Sequence, residues 1–523
     1  MKTTKSLEKK YCLLTTGKSP GRYCEGWVMI GLNAAKAARW MGGKIMGNPD
    51  AALSGVARID SRLIEVGDLF FALPGEKMDG HDFVPKALAA GATAAVVTQV
   101  REEWQQYLSP KQALIVVDDG IKALQACAEA YRQELSLPVI AVTGSTGKTS
   151  TKDLLASAFS SSFDVMKNPG NFNNEIGLPL TVLAVQAHHQ ILIVEMGMRG
   201  PGQIEALCEI ARPVVGVLTN IGPVHMELLG SMEAIARAKG ELLQSLPEEG
   251  IAVINGEDPL AVEQSVSRAQ RAIYYGACQE KLAHTLTKAI PPSSAKKVEV
   301  VWAKEIEPLG EKGSKVSANV GLFHIGSGEW QMKEAIDFHL PLPGRHQAAN
   351  ALASLAVAWG LEADLTAVTN GLMNAQLSSL HWETCQLKDN MTMINDAYNA
   401  NPAAMKAALT TAVEIAAARR TVAILGDMYE LGEEAGRFHE EVGAYAAQAG
   451  VGLLLTVGPL GSRIAVGARR AGMDDSAVLH FDEVEKAAEV VKGLLGSGDV
   501  ILIKASRGMR LERLASALSD GLR

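Results

Sequence analysis

Lys148 and Thr149 close the stretch GSTGKT at residues 144–149, directly after the apolar run VIAVT. A buried strand that feeds a glycine turn and then a helix aims backbone N–H groups and the positive helix end at one point, which suits polyphosphate. Lys148 adds a point charge there, and the hydroxyl of Thr149 is of the type that ligates magnesium. Val142 stands where the commonest P-loop has its leading glycine, leaving Gly144 and Gly147, with Ser145, Thr146 and Ser150 completing the loop. Glu195 ends a second apolar run, ILIVE. A carboxylate closing a buried strand costs free energy unless something pairs with it. Magnesium beside the phosphates, a helix terminus, or an arginine such as Arg199 would each serve. His225 lies just beyond a third run, VVGVLTNIG, in a loop position that suits a structural or a ligating role. Lys239 falls four residues after Ile235 and three before Leu242 in MEAIARAKGELL, on or beside the apolar stripe of a helix. A lysine so placed loses its proton, meets an acid, is covalently modified, or lets its head snorkel to solvent.

These side chains meet only if the strands that carry them lie side by side. The runs at 139–144, 191–197, 214–222 and 251–258 are separated by helical stretches, which predicts a mainly parallel sheet covered by helices on both faces. Ligands sit at the carboxyl ends of such strands, and Glu195, Asn220, Asn255 and Asp258 all fall there. Upstream, strands at 68–73, 94–98 and 113–117 with helices at 83–90 and 122–134 predict a compact α/β domain. Residues 278–342 read as short antiparallel strands appended to the central sheet, before Pro343 and Gly344 punctuate a turn into a helix. From 390 onward MTMIN, TVAIL, GLLLTV and DVILI repeat the strand grammar without a Walker-type lysine. The expected layout is an α/β chain with an extension at 1–30 and a small α/β domain at 31–136. A central P-loop ATPase domain follows at 137–377, then a Rossmann-like doubly wound domain at 378–523. The linker near 375–379 implies a cleft that closes on its ligands.

A formal charge of −8 over 523 residues argues against broad nucleic-acid binding through phosphate neutralisation. Six scattered cysteines without a C-x-x-C pair predict reduced thiols in the cytoplasm. Residues 1–30 lack the apolar core of a secretory signal and read as an unprocessed extension. No run approaches the roughly 20 apolar residues of a membrane span.

The motifs GSTGKT, NPGNFNNEIGLP at 168–179, Glu195, NIGPVH at 220–225, ARAKGE at 236–241, PGRHQAAN at 343–350, DAYNANP at 396–402, LGDMYELG at 425–432 and KASRGMRLE at 504–512 occur in an order that resembles the Mur ligases. The likeness covers nearly all of the chain beyond residue 30, and DAYNANP with LGDMYELG resembles the member that adds a dipeptide. The DNPR signature of the member that adds a diamino acid is absent, and Ala400 before Asn401 and Pro402 departs from the folylpolyglutamate synthase pattern.

The resemblance implies a monomeric, cytoplasmic ligase of peptidoglycan synthesis that joins D-alanyl-D-alanine to UDP-N-acetylmuramoyl-tripeptide, using ATP and two Mg2+ ions. It implies UDP contacts at Ser61, Arg62, Asp79, Gly80 and His81, and substrate contacts at Asn171, Asn173, Asn174, Tyr398, Asn399, Asn401, Lys504, Ser506 and Arg507. Asn350, His381 and Asp396 fall near the nucleotide, and Lys148 carries catalysis with Glu195, His225 and Lys239. A carbamylated Lys239 would ligate one metal with Glu195 and His225, while Thr149 with Glu195 would serve the other. Three positions depart from the family pattern: Gln347 replaces an asparagine, His381 an arginine and Ala505 a glycine. The rival readings are another amide ligase of the superfamily and a nucleotide-binding switch without catalysis.

Overall fold

Apolar runs bounded by glycine and polar residues become the strands of three sheets, of five, nine and six strands. The computed structural model describes residues 31–522 except 76, 266–270, 292, 294, 295 and 379–381. The extension at 1–30 and His381 therefore lie outside the described residues.

The first sheet runs Lys44–Gly47, Ala113–Val116, Ala94–Val97, Leu69–Phe71, Ala57–Arg58, parallel apart from the first strand. The helix Gly120–Glu134 starts two residues earlier than its apolar pattern suggests, because the Asp119 carboxylate accepts the N–H groups of Ile121 and Lys122. Leu124, Cys127, Ala128 and Tyr131 of this helix pack in one apolar cluster that includes Ala94 and Ile115 of the first sheet, Val139 and Leu192 of the second, and Leu180 of the helix Gly177–Leu183. First and central units thus share a core. The third unit has clusters of its own, and Leu377 on the connecting segment packs against both sides.

The central sheet runs Trp330–Leu340, Ser314–His324, Lys297–Pro308, Arg271–Gly276, Ile251–Asn255, Val215–Leu218, Val139–Thr143, Ile191–Glu195, Val165–Lys167. From Lys297–Pro308 onward all pairs are parallel, while the two outer strands are antiparallel. These outer segments are a correction to the expectation of short strands: the three strands from Lys297 to Leu340 have 12, 11 and 11 residues. The physical reason is a pair of register shifts, at Ala303/Glu305 and Val320/Gly321, which interrupt the alternation of inward and outward side chains.

The third sheet runs Glu383–Gln386, Thr392–Asn395, Val500–Lys504, Thr421–Gly426, Leu453–Val457, Val478–Phe481, with only the first pair antiparallel. It meets the central unit through polar contacts. Glu311, in the turn between two of the long strands, accepts from Thr392 Oγ1 at 2.9 Å, Gln386 Nε2 at 2.8 Å and Arg419 Nη2 at 3.0 Å. Asp153, on the helix Lys148–Ser160, accepts the backbone N–H of Ser378 at 2.8 Å and pairs with Lys167 at 2.6 Å. Among the described residues no helix is long and apolar enough to cross a membrane.

Candidate active site

The strand Val139–Thr143 is buried throughout and delivers the chain to Gly144, whose φ is 152°. A Cβ there would lie 1.9 Å from Thr219 Oγ1, so only glycine fits. Gly147 has φ 75° and caps the helix Lys148–Ser160 without a side-chain bond to its first turn, leaving those N–H groups to an anion. The turn between the glycines is held from the neighbouring strand: Thr146 N–H donates to Asn220 Oδ1 at 2.9 Å, and Asn220 Nδ2 donates to Thr146 Oγ1 at 2.7 Å. Ser145 Oγ bridges to the backbone of Gly222.

Two lysines converge on this turn. Lys148 Nζ and Lys239 Nζ each donate to the carbonyl of Gly144 at 2.9 Å, which makes the two ammonium groups neighbours. Lys239 is only 2 % exposed, and no carboxylate among the described residues forms an ion pair with it. Burial, reinforced by the charge of Lys148, holds Lys239 well below the ordinary lysine range; burial also lowers Lys148, against the attraction of Glu195. The spacing argument that put Lys239 on the apolar stripe agrees with this burial.

Glu195 is 2 % exposed and both of its oxygens are engaged by neutral donors, Thr149 Oγ1 and Asn173 Nδ2, each at 2.7 Å. Its own N–H donates to Asn168 Oδ1 at 2.8 Å. Arg199 is not its partner. Lys152, on the same helix as Lys148 and fully buried, donates to the carbonyls of Asn168 at 3.1 Å and Gly170 at 3.3 Å, fixing the loop that carries Asn171, Asn173 and Asn174. His225 has φ 54° and its Nδ1 meets Glu430 of the third unit.

Across the cleft, Lys504 Nζ donates to Asp396 Oδ2 at 2.5 Å and to the Asn399 carbonyl at 3.0 Å. Arg507 lies over the Tyr398 ring, 5.1 Å from its centre. Asn401 spends its side-chain oxygen on the Ala404 N–H, capping the helix Pro402–Ala416, and Ser506 Oγ accepts the Tyr429 N–H at 2.9 Å. One cavity of about 1170 Å³ runs between the two units and is lined by Ser150, Lys148, Glu195, Lys239, Asp396 and Lys504 among others. Asn350 also lines it, with its amide donating to Gln347 Oε1 at 3.2 Å, so the departure at Gln347 orients Asn350. The departure at Ala505 packs where Gly426 carries no Cβ.

Ser61, Arg62, Asp79, Gly80 and His81 do not line this cavity. Arg62 pairs with Asp60. Asp79 accepts from His81 Nδ1 at 2.7 Å, while His81 Nε2 accepts the Thr98 N–H at 3.0 Å, a neutral imidazole with its proton on Nδ1. The N–H of His81, the main cause, lowers the Asp79 carboxyl further.

Sequence reasoning passed over His346, Lys152 and Trp382. His346 and Trp382 line the cavity with rings 6.1 Å apart, and burial pushes the imidazole down to about 4. The motif PGRHQAAN contained His346, and KTSTK placed Lys152 one helical turn from Lys148; both signals were available.

Among the described residues there is no cluster of three or more histidine, cysteine or acidic side chains poised for a metal. Glu195, Thr149 and His225 nonetheless fit a hard divalent cation: a buried carboxylate contacted only by neutral donors, a hydroxyl and an imidazole. Lys239 lines the same cavity beside them.

Three family models match the chain: "Mur ligase family, catalytic domain" at residues 56–132, "Mur ligase middle domain" at 142–358 and "Mur ligase, glutamate ligase domain" at 382–507. The UDP-N-acetylmuramoyl-tripeptide--D-alanyl-D-alanine ligase of Bacillus subtilis (strain 168) is 36% identical over 473 residues, covering 90% of this chain and 93% of that one. A crystal structure of MurF from Acinetobacter baumannii superposes with a TM-score of 0.76 at 28% identity, covering 95% and 99% of the two chains. MurF ligase from Thermotoga maritima in complex with ADP gives a TM-score of 0.69 at 27% identity, with 89% and 97% covered.

Proposed function

The chain belongs to the Mur ligase family, and from that premise we infer that it joins D-alanyl-D-alanine to UDP-N-acetylmuramoyl-tripeptide with cleavage of ATP. The observation that carries this reading is the meeting of Lys148, Lys239 and Glu195 at one turn, facing Lys504 and Asp396 across a single cavity.

The reaction makes an amide from an unactivated carboxylate. The tripeptide carboxylate attacks the γ-phosphorus of ATP, releasing ADP and leaving an acyl phosphate. The free amine of D-alanyl-D-alanine then attacks the acyl carbon, and phosphate departs from the tetrahedral intermediate. Lys148 and the N–H groups opening its helix meet the charge that builds on the transferring phosphoryl group. Mg2+ held by Thr149 and Glu195, and a second ion held by Glu195, His225 and a carbamylated Lys239, would neutralise the remaining phosphate charge. Burial, reinforced by the charge of Lys148, pushes the Lys239 ammonium down and so favours the amine form that carbamylation needs. An amine adds to carbon dioxide, releasing a proton and giving a carbamate whose sign suits a metal.

We assign ATP to residues 137–377, the dipeptide to residues 378–523 around Tyr398, Asn399, Lys504 and Arg507, and the UDP end to residues 31–136. In support of the last, the loops around Ser61 and Asp79 expose Leu63 and Met78, apolar surface that a ligand would cover. Closure of the third unit sets the amine against the acyl phosphate and excludes water that would hydrolyse it. The substrates are cytoplasmic in character, and we place the enzyme there as a monomer.

The test is release of ADP from ATP with UDP-N-acetylmuramoyl-tripeptide present. Rapid release is expected only when D-alanyl-D-alanine is also supplied; equal release with glutamate or with single amino acids would overturn the choice of amine.

A further inference from the structure

His225 and Glu430 come from different units, 205 residues apart in sequence, and meet through the imidazole Nδ1 and a carboxylate oxygen. Both residues have left-handed backbones, φ 54° and φ 62°, a conformation that side chains other than glycine adopt at a cost. The strained turns are docked on each other: Met226 N–H donates to the Glu430 carbonyl at 3.1 Å. On its other side the Glu430 loop is tied by the Tyr429 N–H to Ser506 Oγ, next to Arg507. A carboxylate can only accept from Nδ1, so in the neutral ring the proton sits there and Nε2 keeps its lone pair. Nε2 is then the nitrogen left for the cavity that His225 lines.

We propose that Glu430 is a positioning residue that orients the His225 ring and fixes its tautomer, so that docking of the third unit completes a divalent-cation site on the central one. The inference rests on the assignment of His225 to that site in the proposed function. Loss of a partner of this kind behind a ligating histidine typically costs about ten- to a hundredfold in metal affinity or activity. The role belongs to the side chain, because the bond from Met226 uses the Glu430 backbone and survives substitution.

The experiment measures Mn2+ binding to the full chain with ADP present, by the loss of the free-ion electron paramagnetic resonance signal. Glu430→Gly removes the carboxylate and relieves the left-handed strain, so it keeps thermal stability while weakening Mn2+ by about tenfold. Glu430→Gln leaves an oxygen for Nδ1–H and retains most of the affinity. His225→Ala weakens Mn2+ as well, and adding Glu430→Gly to it costs nothing further. Normal Mn2+ binding by Glu430→Gly beside weakened binding by His225→Ala would overturn the positioning role alone. Normal binding by His225→Ala would instead remove His225 from the site, and this inference with it.

Discussion

In the third sheet the lysine that ends a strand meets its own carboxylate: Lys504 lies 2.5 Å from Asp396, and Asp427 accepts the Gly461 N–H at 2.7 Å. In the central sheet Lys148 and Lys239 share only the carbonyl of Gly144, and Glu195 is met by a hydroxyl and an amide. Both sheets bring polar residues at their strand ends to the cavity, yet Lys504 has a direct carboxylate partner while Lys148 and Lys239 have none among the described residues. Buried charge without a matched partner is expensive, so its presence marks where ions from outside complete the arrangement. The third unit, by contrast, pairs its strand-end lysine within itself.

The largest expected effect is at the unmatched centre. Lys148→Ala should lower ligation by about a thousandfold, measured as ADP release with both substrates. Lys239→Met separates chemistry from stability: activity should fall about a hundredfold or more, while the urea midpoint stays the same or rises because a buried polar head without a carboxylate partner becomes apolar. Asp396→Ala should do the reverse to stability, costing about 3 kcal/mol in urea unfolding because it leaves Lys504 buried without its carboxylate. If Lys239→Met proved the more destabilising of the two, the contrast between the sheets would be lost.

The smallest effect concerns pH at the seam. Burial takes His346 from 6.5 to about 4 in the folded chain. Between those values the unfolded chain holds the extra proton, so this residue's contribution is intact above about 6.5 and is lost as pH falls towards 4. His346→Gln should flatten the decline of thermal stability across that window without changing it at neutral pH.

The glycine turn at 144–149 was legible because its conformation is set locally, by residues whose types admit few alternatives. The strand ends at Glu195, Asn220 and Asn255 were legible from apolar runs; helical spacing put Lys239 on or beside the apolar stripe but fitted a head snorkelling to solvent equally, and the fold buries it. Edge strands such as Glu383–Gln386 and Lys44–Gly47 were not, since exposed positions dilute their apolar pattern. Lys152 escaped for a different reason. A lysine one turn beyond Lys148 reads as a solvated helix face, and its burial depends on carbonyls at 168 and 170 that only tertiary folding brings over it. The contact of His225 with Glu430 likewise joins segments that no local pattern relates.

The apolar cluster common to the first and central units has a mechanical consequence. Joined through the helix Gly120–Glu134, those two units share apolar packing that neither gives up without exposing it to water. The third unit is fastened to them through Glu311, Asp153 and Glu430, contacts for which water competes. A separation of the third unit would therefore break mainly polar contacts, and dissolved salt would be a handle on it.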